Sequence, residues 1–178
     1  MFRIIIALVA AAFCTSAANA GPLYIRSGET LILRINGSAV EVLDRQSAGK
    51  MSAFEAFALA QTQGIVVPQE QEKYPAMPIT GDAPPPIIIV PNQLRLTLRQ
   101  VSAATPLKPQ AFLLIENGYS QSFRFRASMR SESQTSATDV CEVFGGVPGV
   151  EHWPFHIEWL ELTDLRLEEQ LGPQPRCE

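Results

Sequence analysis

The residue types best suited to chemistry lie in one nonapeptide, Glu151-His152-Trp153-Pro154-Phe155-His156-Ile157-Glu158-Trp159. Histidine and glutamate are zinc ligands, so His152, His156 and Glu158 could form a metal site or the centre of a small metal-dependent hydrolase. On an extended strand, however, the two histidines would lie roughly 13 Å apart, too far for one ion unless the backbone folds back. We therefore expect neither a metal nor a cofactor at this segment.

The aromatic side chains of the nonapeptide suit a structural role. We expect Trp153, Phe155 and Trp159 to fill the core after the flexible turn at residues 145–149. The alternative is a recognition surface that includes Trp153 and Trp159, since aromatic residues recur in binding hot spots.

A second candidate site follows from an uneven distribution of charge. Residues 95–130 hold six basic residues against the single acid Glu116, whereas residues 151–178 hold seven acids against two arginines. Two strand patterns carry two arginines each, and these are Arg95, Arg99, Arg124 and Arg126. If both patterns share a sheet, the guanidinium groups form a basic face for carboxylate or phosphate groups.

Two interpretations of this charge pattern remain open. A basic face would bind an envelope protein, an anionic glycan or a lipid head group. Alternatively, acids from the last strands neutralise the arginines across the sheet, and these acids are Glu158, Glu161, Asp164 and Glu168. Surface pairs of that kind contribute less than about 1 kcal/mol each.

The motifs of nucleophilic and nucleotide chemistry are absent from the sequence. It has no Gly-x-Ser-x-Gly, no Gly-x-Gly-x-x-Gly, no Walker loop and no His-Glu-x-x-His. Both histidines lie in one nonapeptide, so a Ser-His-Asp site would have to recruit its serine through folding alone. We therefore expect a protein that is not an enzyme.

The N-terminus has the pattern of a secretory signal peptide over residues 1–20. Arg3 precedes an apolar run over residues 4–13, and Ala18-Asn19-Ala20 predicts cleavage before Gly21. The alternatives are an uncleaved anchor, for which the run is short, and a lipoprotein acylated at Cys14, which Phe13 disfavours. No later segment is a candidate membrane span.

Removal of the signal peptide changes the composition of the chain. Loss of Arg3 leaves 13 basic against 18 acidic residues, a net charge of −5, which argues against a nucleic-acid partner. Loss of Cys14 leaves Cys141 and Cys177, which we expect to form a disulfide in an oxidising compartment. We therefore expect a periplasmic or secreted protein.

Local signals predict one hairpin and one helix. Asn36-Gly37 is a tight-turn pair that joins extended residues 30–35 to residues 38–43. Ser52 and Glu55 have the spacing of a capping box, which begins a short helix that runs through Ala60 toward Gly64. We expect this helix to cover one open end of a β core.

Proline divides the chain without dividing the domain. Seven of the 24 residues in 68–91 are proline, which predicts a long surface loop, because proline lacks a backbone donor. An N-terminal piece of about 50 residues would be marginally stable alone. We therefore expect a single domain over residues 21–178.

The rest of the sequence reads as short strands with alternating polarity. Such patterns occur around residues 94–99, 111–115, 123–126, 138–144 and 157–167, and the last one loses its phase at Thr163-Asp164, which suggests a bulge or a turn. Seven to nine strands predict an all-β, immunoglobulin-like sandwich.

These observations favour an exported, non-catalytic binding or assembly module of a bacterial cell envelope, which recognises a partner through a sheet face or loops. One alternative is a structural subunit that joins an assembly through an edge strand and the Pro-rich arm. The other is the small hydrolase or metal-dependent enzyme centred on the nonapeptide.

Overall fold

A computed structural model describes residues 21–63, 84–101, 110–132 and 134–177. The predicted signal peptide, Gly64, Lys108 and the first part of the Pro-rich stretch lie outside the described residues. The described elements are β1 (Leu23–Arg26), β2 (Glu29–Asn36), β3 (Ala39–Ser47), α1 (Ala53–Gln63), β4 (Leu94–Val101), β5 (Gln110–Asn117), β6 (Ser122–Ser131), β7 (Gln134–Thr138), β8 (Pro148–Trp153) and β9 (Trp159–Glu168). None of the described helices is long and apolar enough to cross a membrane.

The strands form two antiparallel sheets that pack face to face. The four-stranded sheet has the order β1-β9-β6-β7, and the five-stranded sheet has the order β3-β2-β4-β5-β8. Alternate residues of both sheets point inward and form one apolar core, in which Leu33, Leu96, Phe123 and Leu160 are fully buried. The predicted all-β sandwich with one short helix is confirmed.

The predicted hairpin is formed by β2 and β3. Asn36 still pairs with Ala39, so the two-residue turn is Gly37-Ser38, one residue later than the predicted Asn36-Gly37 pair, and Gly37 has φ 59°. The positive φ fits the two-residue turn, whose twist matches that of the flanking strands. The register shifts between Ile32 and Leu33, which leaves Leu43 of β3 as the extra residue of a bulge.

The loss of phase at Thr163-Asp164 is a β-bulge within one continuous strand. Asp164 has φ 52°, and the pairing of β6 with β9 shifts between Arg124 and Arg126. The extra residue keeps Leu160 and Leu162 in the core and lets Leu165 and Leu167 pack against it from the far side of the bulge.

Helix α1 begins as predicted. The Glu55 amide donates to Ser52 Oγ (3.1 Å), and the Ser52 amide donates to the Glu55 carboxylate (2.6 Å), which makes a complete capping box. Its first turn does not lie at an open end of the core. It lies on the outer face of the five-stranded sheet, where the Glu55 carboxylate meets Arg99 of β4.

The outer face of the five-stranded sheet is buried around the middle of β5. Phe112 and Leu114 of β5 alternate with core residues, yet they are nearly inaccessible to solvent. Thr30 and Thr97 lie on the same face and hydrogen-bond through their hydroxyls at 3.0 Å. The continuous apolar run at residues 111–115 therefore reflects a strand that is covered on both sides.

Residues 84–90, the apolar arm, lie before β4 as an extended segment outside both sheets. Pro85, Ile87 and Ile89 are half-buried, and the alternate residues are exposed. Two backbone hydrogen bonds fix the end of the arm, and we call them the mount of the arm. The Asn92 amide donates to the Gly118 carbonyl (2.8 Å), and the Gly118 amide donates to the Gln93 carbonyl (2.9 Å).

The C-terminal tail returns along residues 141–142. Cys141 and Cys177 form the predicted disulfide, and the Glu142 amide donates to the Arg176 carbonyl at 2.8 Å. Most of the predicted strand at 138–144 is irregular, with single bridges at Cys141 and Val143. At residues 141–142 the backbone pairs with the tail instead of with a neighbouring strand.

Candidate functional site

The nonapeptide begins in β8 and ends in β9, so its residues belong to different sheets. Trp153 lies in the core, and its indole N–H donates to Thr138 Oγ1 at 2.8 Å. Phe155 packs against the same core. Trp159 is only half-buried, and its ring meets Tyr24 edge-on with the ring centres 5.4 Å apart. The core role is confirmed for Trp153, whereas Trp159 lies at the outer surface of the four-stranded sheet.

The structure separates His152, His156 and Glu158. The His152 ring lies 3.1 Å from the Gln110 side-chain oxygen, and burial lowers its pKa. His156 is exposed, and Glu158 pairs with Arg130 at 3.3 Å. Nowhere in the described ranges do three or more His, Cys, Asp or Glu side chains lie together in a way that could hold a metal ion.

The four arginines of the predicted basic face lie on opposite sides of the molecule. Arg95 and Arg99 belong to β4 in the five-stranded sheet, and Arg124 and Arg126 belong to β6 in the four-stranded sheet. Period-two alternation points each pair away from the core but does not specify the sheet. The condition for one shared basic face is therefore not met.

Each of these arginines faces a carboxylate. Arg95 lies 3.8 Å from Glu116, Arg124 lies 3.1 Å from Glu168 and Arg126 lies 3.4 Å from Asp164. Burial raises the pKa of Glu116, although Arg95 opposes this shift. Hydrogen bonds from Arg166 and Arg124 lower the pKa of Glu168 to about 2.

Cross-strand neutralisation is thus the arrangement that the structure shows on the four-stranded sheet. Three of the four acids expected there, Glu158, Asp164 and Glu168, pair with arginines of β6. The fourth, Glu161, lies opposite Tyr24 in β1. Partial burial, followed by the charge of Glu161, raises the pKa of the Tyr24 hydroxyl.

Arg99 holds the chain around the start of α1. Its guanidinium donates to the Glu55 carboxylate and to the backbone carbonyls of Ala48, Gly49 and Lys50. Burial disfavours the ionised form of Glu55, but the hydrogen bonds from Arg99 and Ser52 outweigh it and lower the pKa. Arg99 is therefore a structural residue that joins the loop after β3 to β4.

Two further carboxylates lie near the disulfide. Glu142 is buried and pairs with Arg176 at 2.8 Å, and this hydrogen bond lowers the pKa of Glu142 despite its burial. Glu151 accepts a hydrogen bond from the Cys141 amide at 2.7 Å, and burial raises its pKa to about 7. Sequence spacing alone gives no sign of either environment.

The structure also shows a cleft of about 330 Å³ at one lateral edge of the sandwich. It lies between the start of β1, the edge strand β3 and the bulge of β9. We call it the edge cleft, and its apolar lining consists of Pro22, Leu23, Val40, Val42, Leu162 and Leu165.

The edge cleft exists because β3 extends past the four-stranded sheet. Val40 and Val42 pair with the core residues Ile35 and Leu33, so they point inward, yet Val42 is 44% exposed. At the other end of β3, Arg45 reaches the Tyr24 carbonyl (2.8 Å) and Glu29 (2.6 Å) and closes the gap between the sheets. The edge cleft lies at the Val42 end of β3.

A second apolar feature projects from the arm. Ile88 is 89% exposed and Val90 is 48% exposed, and alternation puts both on the same side of the extended segment. We call this pair the apolar ridge. The isoleucine run at residues 87–89 is evident from the sequence, but which of its side chains is exposed is not.

Comparisons of this chain with models of known protein families, with curated proteins and with solved structures found no match.

Proposed function

We propose that this chain is an exported, non-catalytic binding or assembly module of a bacterial cell envelope. The observation that carries the proposal is the apolar ridge, an exposed aliphatic pair held in place on a sandwich whose sheet arginines are matched by carboxylates. Exposed apolar surface is available for a partner to bury, whereas surface charges that are already paired contribute little to binding. Contact through the arm therefore replaces the basic face as the mode of recognition.

Export is supported by the apolar run at residues 4–13 and by the disulfide. A cysteine pair of this kind is compatible with an oxidising compartment such as the periplasm or the extracellular space. Mass spectrometry of the protein recovered from cells tests this part. A mature chain that begins at Gly21 and carries an oxidised cysteine pair supports export, and an intact precursor with free thiols contradicts it.

Binding through the arm is tested by photocrosslinking in cells that make the full-length precursor. A photoreactive amino acid at position 88 is compared with one at Glu169, which is exposed but lies beyond β9. We expect a discrete adduct from position 88 and none from position 169. Equal labelling at both positions, or no adduct at either, contradicts recognition through the arm.

A further inference from the structure

We propose that the partner of the apolar ridge is a second copy of this chain, and that the ridge of one copy fills the edge cleft of the next. This inference rests on the proposed function, because it names the partner of the same arm. The contact is heterologous, since the ridge and the cleft are different surfaces.

The two surfaces are chemically complementary. The apolar arm contains only proline, isoleucine and valine, and therefore has no charged side chain to desolvate. Six of the ten residues that line the edge cleft are aliphatic or proline, and its polar side chains are Ser38, Thr163 and Asp164, of which Asp164 is paired with Arg126. Its volume of about 330 Å³ lies in the range of small ligand pockets. Ile88 and Val90 lie about 6.6 Å apart along an extended chain, so both can enter one cleft of this size.

The arm is held in its extended shape before any contact forms. Pro84, Pro85 and Pro86 restrict φ, and the hydrogen bonds between residues 92–93 and Gly118 fix the end of the arm. Little conformational entropy is then lost on insertion, so a small apolar contact retains more of its favourable free energy.

The ridge cannot reach the cleft of its own molecule. Val90 lies next to Ile32, Arg95 and Glu116, on the outer face of the five-stranded sheet. The edge cleft is lined by the opposite, inward face of β3 and by the four-stranded sheet. Because one chain carries both complementary surfaces and cannot join them within itself, a second copy is the occupant that the geometry favours.

The test is light scattering combined with size-exclusion chromatography on the mature protein. Val42→Lys places a charge in the cleft and leaves the ridge intact, whereas Ile88→Asp does the reverse. Val150→Lys is the matched control, since Val150 is also partly exposed on an edge strand. We expect the wild type and the control to associate, and each of the first two variants to associate at least about tenfold more weakly.

Mixing the two defective variants gives the sharpest result. Val42→Lys still offers a ridge and Ile88→Asp still offers a cleft, so the mixture is expected to form a one-to-one heterodimer. In an independent measurement, mixing Val42→Cys with Ile88→Cys is expected to give a crosslinked dimer under oxidation. The proposal is overturned if the Val42→Lys and Ile88→Asp mixture stays monomeric and the Val42→Cys and Ile88→Cys mixture forms no crosslink. Because the two mixtures use different variants, poor folding of one variant does not decide the outcome.

The failure of this inference can be told apart from failure of the proposed function. A wild type that is monomeric at its highest soluble concentration, together with a crosslink from position 88 to another protein, overturns self-association and supports arm-mediated binding. A monomer with no crosslink from position 88 contradicts both.

Discussion

Glu55 and Arg99 form an ion pair whose side chains are only 5% and 12% exposed. Removing one partner of a buried pair leaves the other charge without compensation. Glu55→Ala also removes half of the capping box. We expect this substitution to lower the free energy of unfolding by about 3 kcal/mol, measured by urea denaturation.

The matched control for this pair is Glu41→Ala. Glu41 pairs with Arg34 at 3.2 Å, but these side chains are 64% and 48% exposed. Solvent screens such a pair, so we expect a loss of less than about 1 kcal/mol. Equal losses for both substitutions would show that burial does not set the strength of these pairs.

Glu151 is expected to make stability depend on pH near neutrality. Its ordinary pKa is 4.5, and burial raises the folded value to about 7. Between these two values the unfolded chain has released the proton while the folded protein retains it, so stability falls as pH rises. Glu151→Gln removes this titration, and the variant should exceed the wild type by about 3 kcal/mol at pH 8, since each pKa unit corresponds to about 1.4 kcal/mol.

The measurement is the difference in unfolding free energy between wild type and Glu151→Gln from pH 4 to pH 8. Taking the difference cancels the opposite slope of the carboxylates whose pKa values are lowered, such as Glu55 and Glu168. A difference that stays constant with pH would contradict the buried environment of Glu151.

The mount of the apolar arm depends on a glycine. A Cβ atom at position 118 would lie 1.8 Å from the Val90 carbonyl oxygen and 2.8 Å from that of Gln93. Both neighbours are backbone atoms, so the arm would have to move. We expect Gly118→Ala to lower the thermal midpoint by several degrees, corresponding to about 2 kcal/mol or more.

Gly172→Ala provides the comparison for the mount. A Cβ at position 172 meets nothing within 4 Å. Its thermal midpoint should therefore stay close to that of the wild type. If both alanine variants melt together, the close approach of the arm to Gly118 does not contribute to stability.

The disulfide joins the tail to the segment before β8 across a sequence separation of 36 residues. Crosslinking a loop of that length stabilises a domain by about 2–4 kcal/mol, mainly through the unfolded state. We expect reduction to lower the unfolding free energy by that amount. The double variant Cys141→Ser, Cys177→Ser should match the reduced wild type and should not respond to reductant.

Elements that a few neighbouring residues encode could be predicted from the sequence, whereas the strands with which they pair could not. The Ser52 and Glu55 pair and the loss of phase at Thr163-Asp164 each encode a backbone conformation within a few residues, and the structure has both. Asn36-Gly37 predicts the hairpin correctly, but the turn itself lies one residue later, at Gly37-Ser38. The alternating polarity around Arg95 and Arg124 predicts which side chains of each strand point away from the core. It does not predict which sheet each strand joins, because strand pairing depends on contacts between residues far apart in sequence.

The candidate surfaces arise only at the scale of the whole molecule. Val42 pairs with the core residue Leu33, yet it lines an open cleft because β1 lies mainly opposite β2 and covers β3 only in part. Ile88 lies in the predicted surface loop, and its side chain is exposed while those of Ile87 and Ile89 are half-buried. Neither arrangement follows from one segment alone, since each depends on how distant segments pack.

A contact between two different surfaces of one chain does not close on itself unless the rotation between copies happens to form a ring. If copies join ridge to cleft in an open chain, the mean mass should rise steadily with concentration and show no plateau at a dimer. Adding a small fraction of Val42→Lys should then shorten the chains, because this variant inserts its ridge into a free cleft but offers no cleft to the next copy. Light scattering at fixed total concentration measures this decrease, and Val150→Lys at the same fraction should leave the mean mass unchanged. A mass that plateaus at an integer number of subunits and ignores the added variant would indicate a closed, symmetric assembly built on other surfaces.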